Sequence, residues 1–300
     1  MGSSVLGAKL LEMFEVGPCG DAYQMGMLIG QRFSSQIRSR LAGDLVLRDQ
    51  LLPFAQTQQA QPLLKALTDN NRKKFPKYWD ELLGTAEGSG VPVLDLILIN
   101  FRKEIVPFLP KTSIMSNIAD TVDDCSDVLI VSDSLALAVH NEDANFALVG
   151  HTYLIKGTLA NGLSFVAYTY AGELPSCAFG FNSHGLEIIA GGIGRNFVSR
   201  DLLEASDIDD ALTVQDENSI SRQNRAALLP KRSRKELLSV LGDTDDPKYP
   251  IYMTGPTLYT LCTAVIDLDE QTLSIIEGNP KEEEVSHVFI MSAKEFKMPQ

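Results

Sequence analysis

The stretch DDCSDVLIV, residues 123–131, divides the chain into two halves with different sequence patterns. Apolar residues before it recur at helical spacing, whereas most residues after it form short β-rich runs separated by turns. Cys125 therefore lies where a helical segment meets a predicted strand. If the peptide bond between Asp124 and Cys125 were cleaved, Cys125 would carry a thiol and a free α-amine, which are a nucleophile and its base on one residue.

The composition is that of a globular protein with a large core. Of the 300 residues, 44% are apolar and 22% are charged. No window approaches the roughly 20 uninterrupted apolar residues of a membrane-spanning helix, and the first residues lack the pattern of a secretory signal, so we expect a cytoplasmic protein. The net charge of −13 is concentrated after residue 124, where 13 basic side chains stand against 25 acidic ones. This negative charge argues against nucleic acid and against an anionic membrane as partners.

The helical half contains four predicted helical stretches, at residues 25–41, 62–73, 77–87 and 92–99. Gly20-Asp21 offers a cap for the first of them. Gly26 and Gly30 leave a smooth patch on the first of them, which suits close packing. Strands are predicted at residues 127–131, 135–140, 147–155, 163–170, 177–181, 186–191, 261–268, 273–277 and 285–291, and helices between 199 and 241. This order predicts an α+β fold in which sheets pack between helical layers.

Cys125 also has a structural interpretation, since free cysteine is among the most buried residue types. Its neighbours favour the functional one: two aspartates precede it and Asp127 follows, which is unusual company for a core side chain. Nearby negative charge would nevertheless raise the pKa of the thiol. The four cysteines form no CxxC pair and the four histidines show no HExxH or HxH spacing, so we expect no disulfide framework, no metal site and no cofactor.

Two predicted turns carry the other candidate residues. Strands of about 7 residues would bring the turn at residues 141–143 back beside Cys125, where Asp143 could pair with a cationic amine. Asn182, in the turn after Phe181, offers an amide that could stabilise an oxyanion. Asn and Asp also occupy turns for local hydrogen-bonding reasons, so both turns have a purely structural explanation. His184 is expected to be a solvated turn residue.

These motifs together resemble the N-terminal-nucleophile hydrolases of the acyl-coenzyme A:6-aminopenicillanic acid acyltransferase group, the peptidase C45 family. The motifs that carry the resemblance, in chain order, are Gly17-Pro18 with Gly26 and Gly30, ELLG at 81–84, NFRKE at 100–104, Cys125, HNED at 140–143, NSHGL at 182–186 and GNP at 278–280. No cofactor is implied by the resemblance.

The resemblance implies a four-layer αββα sandwich with antiparallel sheets, built as a single domain over residues 1–300. Self-cleavage would give a helical chain of residues 1–124 and a strand-rich chain of residues 125–300, which stay associated. The Cys125 amine would act as general base and its thiolate would attack an amide or thioester carbonyl, while Asn182 holds the oxyanion. Asn141 and Asp143 match the family's "N.D" motif, whose aspartate contacts the amine of the nucleophile.

The sequence departs from the family pattern at two places. Asp124 stands where the family commonly has glycine before the nucleophile, which puts the efficiency of processing in question. The chain also runs from Thr213 almost directly to QDEN at 215–218, where the family has a block of several tens of residues with "H.YN", "nvE" and "HaN" motifs. Its absence would leave unpaired sheet edges, as in a shortened and catalytically impaired form.

Three hypotheses follow. The leading one is an amidohydrolase or acyltransferase acting on a small-molecule amide or an acyl-CoA, with a small amide favoured because only Arg195 and Arg200 lie near the turn at Asn182. The second is a non-catalytic relative that keeps the fold for binding or assembly. The third is a papain-like pair of Cys125 and His140, which is weaker because the cysteine of such enzymes opens a helix.

Overall fold

The computed structural model describes residues 11–110, 125–132, 135–175, 178–183, 187–189, 196–197, 200, 222, 224–246, 250–255, 258–282 and 284–291. Several predictions fall outside these residues, namely the segment before Cys125, His184, Arg195 and the place of the absent family block near Thr213. Among the helices of the described part, none is both long and apolar enough to cross a membrane.

The first half is helical, as predicted. Its helices are α1 (Ala22–Arg32), α2 (Ser34–Gly43), α3 (Leu52–Ala55), α4 (Ala60–Lys74), α5 (Pro76–Ser89), α6 (Val93–Asn100) and α7 (Arg102–Ile105), with a π-helical turn at Leu47–Leu51 and a 3-10 turn at Val106–Phe108. Asp21 begins α1 because its carboxylate accepts a hydrogen bond from the amide of Gln24 at 2.7 Å. The predicted long first helix is broken at Phe33 into α1 and α2.

Helices α1 and α5 pack at backbone contact through glycines on both. A Cβ atom added at Gly26 would lie 1.9 Å from the carbonyl oxygen of Glu81, and one at Gly84 would lie 2.1 Å from that of Tyr23. Gly30 and Gly88 face equally close backbone atoms. The smooth patch predicted on the first helix is therefore matched by a second one on α5, and the two helices meet there.

In the described part of the chain, nine strands of the second half and one strand that precedes α1 form two five-stranded sheets. The strands are β1 (Met13–Val16), β2 (Ser126–Ser132), β3 (Leu135–Asn145), β4 (Thr152–Thr158), β5 (Ser164–Tyr170), β6 (Phe179–Asn182), β7 (Glu187–Ile189), β8 (Leu258–Asp267), β9 (Thr272–Ile276) and β10 (Val285–Ile290), and one further helix, α8, spans Arg234–Leu241. The first sheet has the order β1-β4-β5-β6-β7 and the second has the order β10-β9-β8-β3-β2. Mixed helices and largely antiparallel sheets confirm the α+β prediction, except that β1 pairs with β4 in parallel.

The predicted turn at residues 141–143 was wrong. Strand β3 continues through these residues to Asn145, with β2 on one side as far as Asn141 and β8 on the other along its whole polar part. The polar side chains do not break the strand because they are buried among hydrogen-bonding partners. The pairing with β8 shifts from Glu142↔Cys262 to Asp143↔Thr260, which leaves Leu261 as the extra residue of a β-bulge in β8.

Side chains alternate between the two faces of each strand, so the buried apolar residues form three clusters. In the first sheet, Tyr153 and Phe165 pack against the N-terminal helices. Side chains of the opposite face, such as Tyr168 and Phe179, pack against the second sheet. The outer face of the second sheet packs against α8 through Leu137 and Val139 and their neighbours. Even-numbered residues of β3 therefore point between the sheets, and odd-numbered ones point toward α8.

Candidate active site

Strand pairing places Cys125 beside Glu142. Ser126 pairs with Asn141 and Asp127 pairs with His140, so Cys125, one residue before the strand, lies across from Glu142. Residues directly opposite each other in an antiparallel pair have their side chains on the same face. Cys125, Asp127, His140 and Glu142 consequently share the face that points between the sheets, and the sulfur of Cys125 donates to Oε2 of Glu142 at 3.8 Å.

The four side chains form one hydrogen-bonded group, called here the cysteine cluster. Nδ1 of His140 lies 2.7 Å from Oδ1 of Asp127, and its Nε2 lies 2.9 Å from Oε2 of Glu142. From the first sheet, the hydroxyl of Tyr170 donates to Oε1 of Glu142. His140 and Glu142 are almost fully buried, whereas the side chain of Asp127 is 48% exposed. The cluster therefore opens to solvent on the side of Asp127.

The environment shifts the pKa values of both the cysteine and the histidine. Burial and the carboxylate of Glu142 raise the pKa of the Cys125 thiol to about 11, so the group is a thiol near neutral pH. Burial by itself would lower the pKa of His140. The charge of Cys125 and the hydrogen bonds to Asp127, Cys125 and Glu142 outweigh it, so the pKa of the imidazole lies well above its usual value.

Asp143 lies behind the cluster, on the opposite face of β3 from Glu142. Its Oδ2 accepts from Nη1 of Arg222 at 3.3 Å, and the same nitrogen donates to Oγ of Ser126 at 2.7 Å. The hydroxyl of Thr260 donates to its other oxygen. Burial raises the pKa of Asp143 to about 8 against the lowering effect of Thr260 and Arg222. Arg222 thus holds the carboxyl of Asp143 next to the residue that follows Cys125.

Asn141 points away from the cysteine cluster, toward α8. Its amide nitrogen donates to the carbonyl oxygens of Leu241 at 2.8 Å and Ile251 at 3.1 Å, and its oxygen accepts from the hydroxyl of Thr263 at 2.6 Å. These contacts join β3 to β8, to the end of α8 and to the chain before β8. They account for the burial of this amide without a catalytic role.

Asn182 lies far from the cluster and on another face. It pairs with Phe165, whose ring packs on the helical side of the first sheet under Arg200. The ring of Phe179, on the same strand, is 5.5 Å from that of His140, and Asn182 is three residues further along. At about 3.3 Å a residue, this adds roughly 10 Å. The prediction that Asn182 holds an oxyanion at Cys125 therefore finds no support in the geometry.

Comparison with known proteins relates part of the chain to a family. Residues 131–225 match the family model described as acyl-coenzyme A:6-aminopenicillanic acid acyl-transferase. Over this segment the chain is similar to that family. It is also similar to the beta-alanyl-dopamine/carcinine hydrolase of Drosophila melanogaster, with 28% identity over 215 residues, which cover 65% of this chain and 55% of the relative. The chain thus spans about half the length of the curated relative that it matches.

The family match begins within β2 and includes His140, Glu142 and Tyr170. Sequence reasoning named Cys125 and Asp143 but gave no role to Glu142, Tyr170 or Arg222, and it considered His140 only for a papain-like enzyme. A strand-period reading of HNED at 140–143 would have placed His140 and Glu142 on one face. Tyr170 and Arg222 reach the site from distant parts of the chain, and no local signal indicates them.

Proposed function

We propose that this chain is a cysteine amidohydrolase or acyltransferase of the N-terminal-nucleophile type, with Cys125 as nucleophile. The observation that carries the proposal is the position of the Cys125 sulfur, 3.8 Å from Glu142 in a hydrogen-bonded cluster with His140, next to a segment that matches this family's model. We further propose that the two sheets and the helices on their outer faces make up the four-layer αββα sandwich, as one domain.

Maturation would begin with attack by the Cys125 thiolate on the carbonyl carbon of Asp124. The carbon–sulfur bond forms, the peptide carbon–nitrogen bond breaks, and the released nitrogen takes up a proton as an amine. Water then hydrolyses the thioester, which leaves a carboxylate on residue 124 and restores the thiol of Cys125. The products are the chains 1–124 and 125–300, held together by the shared core.

The first step requires a proton acceptor other than the amine of Cys125. Before cleavage that nitrogen is part of an amide and has no basic lone pair. Glu142 accepts the hydrogen bond of the thiol, and His140, held between two carboxylates, supplies a positive charge that would stabilise the thiolate. We therefore assign the cluster to the self-cleavage step, with Glu142 as acceptor and His140 as stabilising cation.

After cleavage, the amine of Cys125 would act as general base for attack on the substrate. Arg222 bridges Asp143 and Ser126, so the carboxyl of Asp143 is held close to the backbone that would become the new terminus. Burial raises the pKa of Asp143 to about 8 in the uncut chain, but the ammonium group formed on cleavage would favour its ionised form. The resulting carboxylate would in turn favour the charged amine and orient it. Asp143 is therefore proposed to position the amine.

A small amide is the proposed substrate class. Arg200, which might have served the phosphates of a coenzyme thioester, is fully buried, and its Nε contacts Glu81 at 3.0 Å. Its guanidinium also stacks over Phe165. The Drosophila relative is named as a hydrolase of beta-alanyl-dopamine, which is an amide of a small amine. We expect hydrolysis of such an amide through a thioester on Cys125, resolved by water.

Intact mass measurement and N-terminal sequencing of the purified chain test the proposal. We expect two fragments with Cys125 at a new N-terminus, and a single uncut species for Cys125→Ala. Cys262→Ser is the matched control, because Cys262 is a buried thiol paired with Glu142 across β3 and β8, so this variant should still be cut. An uncut wild type that no activated ester acylates at Cys125 would instead support the non-catalytic binding protein.

A further inference from the structure

The cysteine cluster contains the donor atoms of a transition-metal site. The sulfur of Cys125, a ring nitrogen of His140 and a carboxylate oxygen of Glu142 all lie within 4.8 Å of one another. Thiolate, imidazole and carboxylate are three ligand types that Zn²⁺ takes in proteins. No sequence motif indicates the site, since two ligands are two residues apart on β3 and the third comes from the end of β2.

The distances between these atoms are close to those around a tetrahedral ion. Metal–ligand bonds of about 2.0 to 2.3 Å at tetrahedral angles separate neighbouring ligand atoms by roughly 3.3 to 3.6 Å. Here Nε2 of His140 and Oε2 of Glu142 are 2.9 Å apart, and Oε2 is 3.8 Å from the sulfur. The remaining pair, the sulfur and the ring nitrogen, lies within 4.8 Å, so an ion between the three atoms would require movements of about 1 Å.

Two further residues orient the ligands from behind. Asp127 bonds to Nδ1 of His140 at 2.7 Å, which fixes the ring and leaves Nε2 as the nitrogen that faces Cys125. Tyr170 donates to Oε1 of Glu142, so the other oxygen is directed toward the sulfur. A carboxylate behind a ligating histidine is the usual outer partner of a protein metal site. The contacts of Asp127 and Tyr170 are thus additional to those among the three ligand side chains.

The charge and the accessibility of the group also suit a cation. Two carboxylates converge on one imidazole, and a thiolate would add a third negative charge. Behind the cluster, Asp143 pairs with Arg222. Because Cys125 is half-buried and the side chain of Asp127 is 48% exposed, an ion can enter from solvent.

We propose that Cys125, His140 and Glu142 form a binding site for a thiophilic divalent cation, for which Zn²⁺ fits best. Three protein ligands leave a fourth position for water. Binding replaces the hydrogen of the thiol and any proton on Nε2 of His140 with the metal, and these protons are released to solvent. Binding itself needs only the cluster, whereas its consequence, reversible inhibition by occupation of the nucleophile, rests on the proposed function.

Titration of the metal-free protein with Co²⁺ and equilibrium dialysis with Zn²⁺ test the site. We expect one ion per chain and a thiolate-to-cobalt charge-transfer band that Zn²⁺ displaces. Cys125→Ser should abolish the band, and His140→Gln should weaken Zn²⁺ binding by more than about 100-fold. Asp127→Ala should weaken it by about 10- to 100-fold, as expected for an outer partner. Cys262→Ser is the control that should keep both readouts, and circular dichroism checks the fold of each variant.

The outcomes separate the metal site from the proposed function. A band that persists in Cys125→Ser, or that is lost in Cys262→Ser, would overturn the assignment of the ligands. A wild type that is processed and active but shows no cobalt band would refute the metal site and leave the function intact. Binding by an uncut, inactive chain would support the site and refute the function. Activation by Zn²⁺ would contradict the inhibitory consequence.

Discussion

The substitution Gly26→Ala tests the packing of α1 on α5. The added Cβ atom would lie 1.9 Å from the carbonyl oxygen of Glu81, and 2.8 and 3.0 Å from its carbonyl carbon and Cα. All three are backbone atoms of a helix and cannot rotate away. To restore an ordinary contact of about 3.4 Å, the two helices must separate by roughly 1.5 Å, which also disturbs the buried ion pair between Glu81 and Arg200.

The cost can be estimated from two opposing effects. Overpacking typically costs about 1 to 3 kcal/mol and occasionally more, and the rigid backbone here places Gly26→Ala at the upper end or above. Alanine regains about 1 kcal/mol of helix propensity relative to glycine. We expect a net loss of roughly 2 kcal/mol or more in the free energy of unfolding. With about 2 to 4 °C per kcal/mol for larger domains, the melting temperature should fall by about 4 °C or more.

Thermal and urea unfolding measure the effect, in a Cys125→Ala background so that chain cleavage does not alter the reference state. Gly43→Ala is the matched control, because Gly43 ends α2 and a Cβ atom added there would meet no heavy atom of the described residues within 4 Å. This control should be neutral or slightly stabilising. If Gly26→Ala melted at the same temperature as Gly43→Ala, the backbone contact between α1 and α5 would be refuted.

Two further substitutions test buried polar contacts. Asn141→Ala should lower the free energy of unfolding by about 3 kcal/mol because it leaves three buried partners unsatisfied. Urea unfolding measures this loss, and a loss below about 0.5 kcal/mol would contradict the prediction. Burial by itself would raise the pKa of Asp44, but Arg102 and a backbone amide outweigh burial and lower it. The ionised carboxylate therefore stabilises the folded protein near neutral pH, and this stabilisation is lost as the pH falls through the folded-state pKa. Asp44→Asn should therefore destabilise the protein at pH 7 by about 1 to 2 kcal/mol, a gap that narrows in acid. A gap that is unchanged at low pH, or as large for the exposed control Asp49→Asn, would argue against this pair.

The sequence by itself indicated most of the order of the secondary structure, although not β1, and it singled out Cys125 as the candidate nucleophile. Helical spacing before residue 111 and alternating runs after Cys125 are local patterns, and local patterns are set by which face each element buries. The glycines of α1 also predicted close packing, because the absence of Cβ atoms is visible without coordinates. The family motifs identified Cys125 and Asp143 for the same reason, since each is a short stretch of sequence.

The tertiary structure decided which side chains surround the sulfur. Register between β2 and β3 brings Glu142 opposite Cys125, and a shift of one residue would have exchanged it for its neighbours on the other face. The polar run at 140–143 looked like a turn because it is hydrophilic, yet burial among partners keeps it in a strand. Asn182 shows the converse, since its motif predicted the site while it lies on the face of β6 that packs toward the helices. Pairing between distant strands fixes these positions, and no local pattern encodes it.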